Sequence, residues 1–497
     1  MAKIETMREL VDVATSTRPG TSTLPDMKRL LLAVMLAVTA CSAGPNDAAP
    51  TDPPSSSVAA TQTPLTVPDR TVYPAAPSAP IGPNDAATEA FDAIVDGIVV
   101  GLFDTADLQG LIDTGDVRHA WLVSDLLRFT RQGPEADILT AGFGTLTGVD
   151  VSDDALIDRS PWNVVTNHLI AWDTPAPPDY RRLKGRLFTI AEPRWTPFFD
   201  DADSEIDWRW VSWGGVFIDD RPLGDTELCD GRGCIPALDD PELVSADRGD
   251  WYPDDRIVFG VTEGDQAVAL PKNIMQVHEM VNITVGGRRF GIPYCTLCGS
   301  AQAFYTDPLP DDVDTLVLRT SGLLNRSNKV MYDLDTRSVF DTFTGAAVSG
   351  PLLDAGIVLD QNSVSVTTWG EWKQEHPNTG IVAEDGGIGR DYPDDPLRGR
   401  DDNGPIFPIG DADPRLPLQE PVVGVLLDDG TTLAFPAARA RAALADGGEV
   451  GLQGVTLSSD GGGVIASLDG EEIGTHEAFW FAWSQFHPET LLWPDDQ

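Results

Sequence analysis

A tryptophan-histidine motif that occurs twice constrains the fold of this 497-residue chain more than any other feature. The motif Trp-x-x-Trp-x-x-x-His-Pro-x-Thr spans residues 369–379 and recurs with identical spacing over residues 480–490. Positions i, i+3 and i+7 lie on one face of a helix, and the proline after the histidine ends that helix. Each copy is therefore predicted to contain a short helix with tryptophans on one face.

Two strand-like segments precede each copy of the motif, and short β-like runs separated by Gly, Asp and Pro continue from residue 205 onwards. The matching segments are Val258–Val261 with Ala269–Pro271, and Val422–Val425 with Ala434–Pro436. A fixed order of repeated landmarks indicates an internal duplication. We expect repeat 1 over residues 205–380, with a long insert, and a degenerate repeat 2 over residues 381–497.

Residues 88–204 have apolar positions at helical spacing and no cysteine. This region is predicted to be a helical domain, and its His119 and His168 are predicted to be structural. The expected fold class is therefore α+β, with a helical N-terminal domain followed by the β-rich module. The chain has no βαβ alternation and no glycine-rich dinucleotide fingerprint, which argues against a doubly wound nucleotide-binding fold.

The charge of the chain excludes one class of partner. It has 78 acidic and 34 basic side chains, which gives a formal net charge of −44. Proteins that bind nucleic acid need a basic surface to displace counterions from phosphates, so no nucleic-acid partner is expected. Hydrophobic residues make up 41% of the chain, which is enough to bury sizeable cores.

A segment near the N-terminus is typical of a bacterial lipoprotein signal. Residues 27–40 have a basic pair, then an apolar run too short to span a bilayer, then small residues before Cys41. We expect cleavage before Cys41 and lipid attachment to its thiol, so that the exported protein is anchored to the outer face of the cytoplasmic membrane. Met27 is the expected true start, so residues 1–26 are not expected in the protein. Residues 41–87 are predicted to form a disordered Pro/Ala/Ser/Thr-rich tether.

The insert of repeat 1 carries Cys295 and Cys298 in a Cys-x-x-Cys motif. Two thiols at this spacing can form a reducible disulfide, bind a soft metal ion or form a structural disulfide. A disulfide across so small a loop contributes little by chain entropy, which favours the redox and metal alternatives. No His follows the motif as in a c-type haem site.

A second pair, Cys229 and Cys234, flanks a glycine-containing turn and is predicted to form a local disulfide. The alternative is that all four thiols form a zinc site, because two closely spaced pairs can bind zinc tetrahedrally. Four cysteines allow three pairings, and the sequence does not distinguish them.

His278 is the predicted partner of the Cys295–Cys298 pair, as a metal ligand or a proton shuttle, with Glu279 as the group that orients it. Met331 is a weaker candidate ligand, because a thioether together with thiolates and an imidazole would suit copper. Tyr332 is a further candidate. The motif histidines, His376 and His487, occur in both copies although one copy has no cysteine, so they are predicted to be structural.

Several short motifs in residues 205–493 together resemble the domain-of-unknown-function family 3179, which is common among bacterial exported proteins. They are Ile235–Leu238, His278-Glu279-x-Val281-Asn282, Tyr294-Cys295-x-x-Cys298-Gly299-Ser300-Ala301, Ser321–Leu323, Met331–Asp333, Gly350-Pro351, Thr368-Trp369 and His376-Pro377. The family has no established activity. The resemblance implies that His278, Cys295 and Cys298 form one site. This chain departs from the family pattern in its Cys229–Cys234 loop and at Ile283-Thr284.

These observations favour an extracytoplasmic protein with a redox-active dithiol or a soft-metal site that binds copper or zinc. The alternative is a non-enzymatic cell-surface binding protein in which the cysteines form structural disulfides. A hydrolase is disfavoured because the chain has neither a Gly-x-Ser-x-Gly nor a His-Glu-x-x-His motif.

Overall fold

The computed structural model of the chain describes residues 71–82, 85–227, 229, 233–307, 309, 313–402 and 404–494. The predicted start, signal segment and lipidated Cys41 lie outside the described residues, as does most of the predicted tether. None of the helices in the described ranges has the length and apolar character needed to cross a membrane.

The first part of the described chain is helical, as its apolar spacing predicts. Its helices are α1 (Asp85–Val99), α2 (Thr105–Ile112), α3 (Ala120–Phe129), α4 (Pro134–Thr147), α5 (Pro161–Ala171), α6 (Tyr180–Ala191) and α7 (Thr196–Asp200), with 3₁₀ turns at Val117–His119 and Pro193–Trp195. Local signals set their ends. The Asp104 side chain accepts a hydrogen bond from the backbone N–H of Ala106 at the start of α2, and Gly148 ends α4 in the left-handed conformation.

The end of the predicted tether packs on these helices. Trp172 Nε1 donates a hydrogen bond to the Pro74 carbonyl (2.8 Å), and the Tyr73 ring lies 5.1 Å from the His168 ring. Tyr73 is partly buried, as suits an aromatic ring with a large apolar surface. Helix α1 begins at Asp85, three residues before the predicted domain boundary.

The rest of the chain is rich in strands. In order they are β1 (Val211–Trp213), β2 (Leu238–Asp239), β3 (Leu243–Ser245), β4 (Ile257–Glu263), β5 (Gln266–Pro271), β6 (Met280–Val285), β7 (Arg288–Cys295), β8 (Ser300–Ala301), β9 (Ala303–Asp307), β10 (Leu318–Asn325), β11 (Asn328–Asp333), β12 (Val339–Phe340), β13 (Gln361–Asn362), β14 (Ser365–Thr368), β15 (Gly380–Val382), β16 (Pro421–Leu426), β17 (Thr432–Pro436), β18 (Val450–Leu452), β19 (Val455–Asp460), β20 (Gly463–Leu468), β21 (Glu471–Ile473), β22 (Thr475–Phe479) and β23 (Leu491–Leu492). The helices among them are α8 (Lys272–His278), α9 (Pro351–Asp354), α10 (Trp369–Glu375), α11 (Ala437–Ala445) and α12 (Trp480–Phe486), with a 3₁₀ turn at Ala246–Arg248.

Within the described ranges these strands form five sheets, arranged as a propeller-like ring. The sheet orders are β1-β10-β11-β12, β13-β9-β7-β6-β2 with β8 paired to β7, β14-β4-β5-β15-β3, β22-β16-β17-β23, and β18-β19-β20-β21. The helical part and the first sheet share one apolar core, in which Phe198 contacts Tyr332 of β11. The fold is thus mixed α+β, with helices first and sheets after.

Two of the sheets have the same local topology. In the first unit (β4, β5, α8, β14, α10 and β15), β4 pairs antiparallel with β5 and β14, and β5 pairs parallel with β15. In the second unit (β16, β17, α11, β22, α12 and β23), β16 pairs antiparallel with β17 and β22, and β17 pairs parallel with β23. The repeated sequence landmarks thus occupy equivalent places in two sheets.

The second tryptophan of each motif packs against a glycine of its own unit. A Cβ on Gly260 would lie 2.3 Å from the Trp372 ring, and one on Gly424 would lie 2.1 Å from the Trp483 ring. Each indole N–H donates to the threonine that ends the motif, at 2.9 Å in the first unit and 3.0 Å in the second. The identical spacing in the two copies therefore has a structural reason. The indole ring needs a glycine in the strand beneath it and a hydrogen-bond acceptor seven residues further along the chain.

Candidate functional site

The two thiols lie at the end of β7, where the chain turns into β8. Cys295 is the last residue of β7, and the Cys298 N–H donates to the Cys295 carbonyl (3.2 Å) to close the turn. Gly299 follows with φ +59°, a left-handed conformation that glycine adopts without strain. The Cys298 carbonyl accepts a hydrogen bond from Phe479 N–H (2.8 Å), so the second unit covers the turn.

Both thiols are free and almost completely buried, with 4% of Cys295 and 0% of Cys298 exposed. Their sulfur atoms share one acceptor, the Ser327 carbonyl in the β10–β11 turn, at 3.7 Å from Cys295 Sγ and 3.3 Å from Cys298 Sγ. The two sulfurs are therefore held side by side by a segment that is distant in sequence.

The two thiols differ in acidity. Burial alone would raise the pKa of Cys295, but the hydrogen bond from Cys298 and the backbone N–H groups of Lys329 and Cys298 bring it below its usual value. Burial and the negative charge on Cys295 raise the pKa of Cys298 well above the ordinary range. Cys295 is thus the more acidic thiol of the pair and Cys298 the less acidic one.

A buried acid–base pair lies beside the thiols. Glu279 Oε1 accepts a hydrogen bond from Thr296 Oγ1 (2.9 Å), inside the Cys-x-x-Cys turn, and Glu279 Oε2 lies 3.8 Å from Lys329 Nζ. Burial raises the pKa of Glu279, and burial lowers the pKa of Lys329 although Glu279 and Cys295 oppose that shift. The Lys329 ammonium therefore faces two groups that can carry negative charge.

His278 does not join this group. Its Nδ1 lies 2.6 Å from the Pro236 carbonyl and its Nε2 lies 2.7 Å from the Tyr392 hydroxyl, so other groups engage both ring nitrogens. Burial lowers its pKa to about 4. His278 ends α8, and Glu279 adopts φ +51° there, which directs the two neighbouring side chains to different surroundings. Glu279 bonds to the thiol turn and not to His278.

Met331 and Tyr332 also lie apart from the thiols. Met331 is part of an apolar cluster with Met280, Leu318 and Phe340. The Tyr332 hydroxyl donates to the Asp219 carbonyl (2.6 Å). In the described structure neither side chain contacts a cysteine sulfur, so the copper ligand set expected from the sequence is not assembled.

The other cysteine pair is a disulfide, as its spacing predicts. Cys229 and Cys234 are bonded with their Cα atoms 5.6 Å apart. An Asp219 oxygen lies within 4.8 Å of both sulfurs, but its carboxylate already binds the Arg221 guanidinium. Because one pair is oxidised and the other is free, the structure does not support the four-cysteine zinc site.

The groups that complete the thiol site were not recognised in the sequence. Ser327 and Lys329 lie about thirty residues after the cysteines, in the hairpin between β10 and β11. The one available signal was Lys329 itself, a basic residue in a strand whose other members are buried. Glu279 was recognised, but with His278 as its partner.

The arrangement can carry out thiol–disulfide exchange, because it places a thiol of lowered pKa beside a less acidic thiol. It offers a metal ion only two thiolates, and the described residues contain no cluster of three His, Cys, Asp or Glu ligands around them. A structural zinc site uses four ligands, so zinc fits these residues poorly.

Residues 232–469 match the family described as Protein of unknown function (DUF3179). Searches of curated proteins and of solved structures gave no match. The matched region contains the first unit, the thiol turn and the Ser327–Lys329 hairpin. It ends before β22 and α12 of the second unit.

Proposed function

We propose that the protein is a thiol–disulfide redox protein in which Cys295 is the nucleophile and Cys298 the resolving thiol. The observation that carries this proposal is the asymmetry of the buried pair. Both thiols lie against the Ser327 carbonyl, and of the two only Cys295 has a lowered pKa. A purely structural pair would be bonded, as Cys229 and Cys234 are.

The reaction is a two-electron exchange with a disulfide of a partner molecule. The Cys295 thiolate attacks one sulfur of that disulfide, forms a mixed disulfide and releases the other sulfur as a thiolate. Cys298 loses its proton and attacks the Cys295 sulfur, which releases the second thiolate. The protein dithiol is oxidised to a disulfide, and the partner disulfide is reduced to two thiols once its thiolates take up protons. The reverse sequence oxidises a partner dithiol.

The test is the reduction potential of the Cys295–Cys298 pair, measured by thiol alkylation and mass spectrometry in defined glutathione or dithiothreitol buffers. We expect a value in the range of working redox couples, roughly −270 to −120 mV. A Cys298→Ser variant should accumulate the mixed disulfide on Cys295, whereas Cys295→Ser should accumulate none. A potential below about −300 mV, or loss of the fold in both variants, would favour a structural role.

Soft-metal binding is a second candidate, because two adjacent thiolates suit copper(I). Elemental analysis of the protein purified without reductant or chelator separates the two. Close to one equivalent of copper, lost on Cys295→Ser, would replace the redox assignment. If the protein contains no metal and its thiols show no reversible redox couple, the alternative of a non-enzymatic surface-binding protein is favoured over both candidates.

We also propose that the protein is exported and lipid-anchored through Cys41. The support is the sequence alone: a basic pair, a short apolar run and small residues before Cys41. Mass spectrometry of the N-terminal peptide from the membrane fraction tests it. A mature N-terminus at an acylated Cys41 is expected, and an unmodified Cys41 inside a longer peptide would exclude it.

The finer domain assignment is likewise a proposal, in which the two units arose by internal duplication and only the first gained the thiol insert. The shared strand pairings and the Trp–Gly contacts of both units support it.

A further inference from the structure

The two units differ at the position that faces the motif histidine. In the first unit the Asp460 carboxylate accepts a hydrogen bond from Ser365 Oγ (2.7 Å) and lies 2.7 Å from His376 Nε2. Asp460 is the last residue of β19, so a neighbouring sheet supplies this carboxylate. The polar side chains of Ser365 and His376 are thereby satisfied from within the protein.

In the second unit both equivalent positions are histidines. His476 pairs with Gly424 in the register in which Ser365 pairs with Gly260. The His487 ring lies 4.2 Å from Trp483, as the His376 ring lies 4.1 Å from Trp372. Both are buried, with 3% of His476 and 7% of His487 exposed, yet neither Nε2 has a hydrogen-bond partner in the described part of the chain.

The two imidazoles share their surroundings. Both rings contact Trp483, and both make T-shaped contacts with Phe343, at 5.4 Å for His476 and 6.1 Å for His487. Phe343 offers neither a carboxylate nor any other strong acceptor. Buried polar atoms in proteins are nearly always satisfied, so two such nitrogens against the same aromatic rings point to a ligand.

The chemistry of these nitrogens identifies the kind of partner. Both rings are buried among aromatic side chains, and such surroundings disfavour a charged imidazole. Neutral imidazole nitrogen is a preferred ligand of zinc and copper. A carboxylate would instead favour protonated rings, which this burial opposes.

A glutamine supplies what such a site needs beside one of the histidines. The amide nitrogen of Gln361 lies 3.1 Å from His476 Nδ1. The two ends of an amide side chain are interchangeable by a flip, and with its oxygen turned to that nitrogen Gln361 would fix the proton on Nδ1 and leave Nε2 as the ligand atom.

We propose that Nε2 of His476 and Nε2 of His487 bind a first-row transition-metal ion, zinc or copper, in the second unit. This site is separate from the thiol turn and does not depend on the redox function. The first unit cannot form it, because Ser365 replaces one imidazole and Asp460 engages the other.

The experiment uses the full chain with Cys41, Cys295 and Cys298 replaced by Ser, so that no free thiol can contribute a ligand. The metal is first removed by a chelator, and Zn²⁺ is then titrated by calorimetry. About one equivalent should bind, and His476→Gln or His487→Gln should each weaken binding at least about tenfold. His376→Gln is the matched control from the first unit and should bind as the parent does.

Co²⁺ provides a readout that needs no histidine variant, since its ligand-field absorption reports coordination by nitrogen. Such bands in the thiol-free protein, displaced by Zn²⁺, would support the site. Absence of bands together with absence of Zn²⁺ binding would overturn the proposal, as would binding that persists when both histidines are replaced. Loss of metal on Cys295→Ser alone, with the histidines intact, would place the metal at the thiols instead.

Discussion

The first and second units have the same scaffold, but they differ in how the polar groups beside the second tryptophan find hydrogen-bond partners. Both place a tryptophan over a strand glycine and end a short helix at a histidine. In the first unit the polar groups beside that tryptophan form hydrogen bonds with Asp460, whereas in the second unit they face the ring of Phe343. The comparison shows that the motif specifies packing, while the partners from neighbouring sheets determine the chemistry.

The largest expected effect comes from removing the strand-covering tryptophan of each unit. Trp372→Ala and Trp483→Ala should each destabilise the protein by about 3–5 kcal/mol, because each deletes a fully buried ring. Only Trp483 belongs to the apolar cluster that contains Cys295 and Cys298. Denaturant unfolding measures the loss of stability in both variants. Alkylation rates measure whether Cys295 and Cys298 become more accessible.

Milder Trp372→Phe and Trp483→Phe variants serve as folded controls for that comparison. We expect faster thiol alkylation in the Trp483→Phe variant and an unchanged rate in the Trp372→Phe variant. Equal acceleration in both would mean that the two units open together and that the comparison between them fails.

A smaller effect distinguishes the units by pH. Glu477 of β22 occupies the place that Val366 has in β14, and burial raises its pKa to about 7 although the Arg441 guanidinium opposes the shift. Between pH 4.5 and about 7 the unfolded chain has lost this proton and the folded chain has kept it. Glu477 therefore lowers stability as the pH rises through this window, by about 3 kcal/mol in total.

Replacing Glu477 by Gln should remove this pH dependence. We expect Glu477→Gln to be more stable than the parent at pH 7.5, with the difference shrinking toward pH 4.5, as measured by denaturant unfolding across the range. A difference that stays constant with pH would show that the carboxyl ionises normally in the folded protein, and one that grows as the pH falls would show that its pKa is lowered there.

The smallest effect concerns the motif histidines. In metal-free buffer His376→Gln should cost about 1 kcal/mol, because it removes the hydrogen bond to the partly buried Asp460 carboxylate. His487→Gln should cost less, since its Nε2 has no partner to lose among the described residues. Thermal unfolding of both variants, with Asp460→Asn as the partner control, measures the difference. The reverse order would show that His487 has a structural bond.

The sequence predicted much of this scaffold because its determinants are local. The spacing of Trp369, Trp372 and His376 predicted a short helix, and the structure has α10 at Trp369–Glu375. The Cys229–Cys234 disulfide followed from its spacing in the same way. The mixed fold followed from the change of periodicity near residue 205.

The candidate site was less predictable because its members meet only in three dimensions. The β10–β11 hairpin brings Ser327 and Lys329 to the thiols. No sequence pattern near Cys295 predicts that these two residues lie there. His278 is close to Cys295 in sequence, but the left-handed Glu279 that follows it sends the glutamate to the thiols. The partner of His376 comes from Asp460, 84 residues away.

The cover that Phe479 places over the thiol turn has a kinetic consequence. A reagent in solution reaches Cys298 only from conformations in which this cover is released, so the reaction rate is the intrinsic thiol rate multiplied by the fraction of open molecules. Cysteine labelling at increasing reagent concentration would therefore report an opening equilibrium and, at saturation, an opening rate. A molecule that binds the second unit and stabilises this cover would lower the opening equilibrium or the opening rate without contacting either sulfur. The labelling rate of the two thiols would therefore report binding at the second unit.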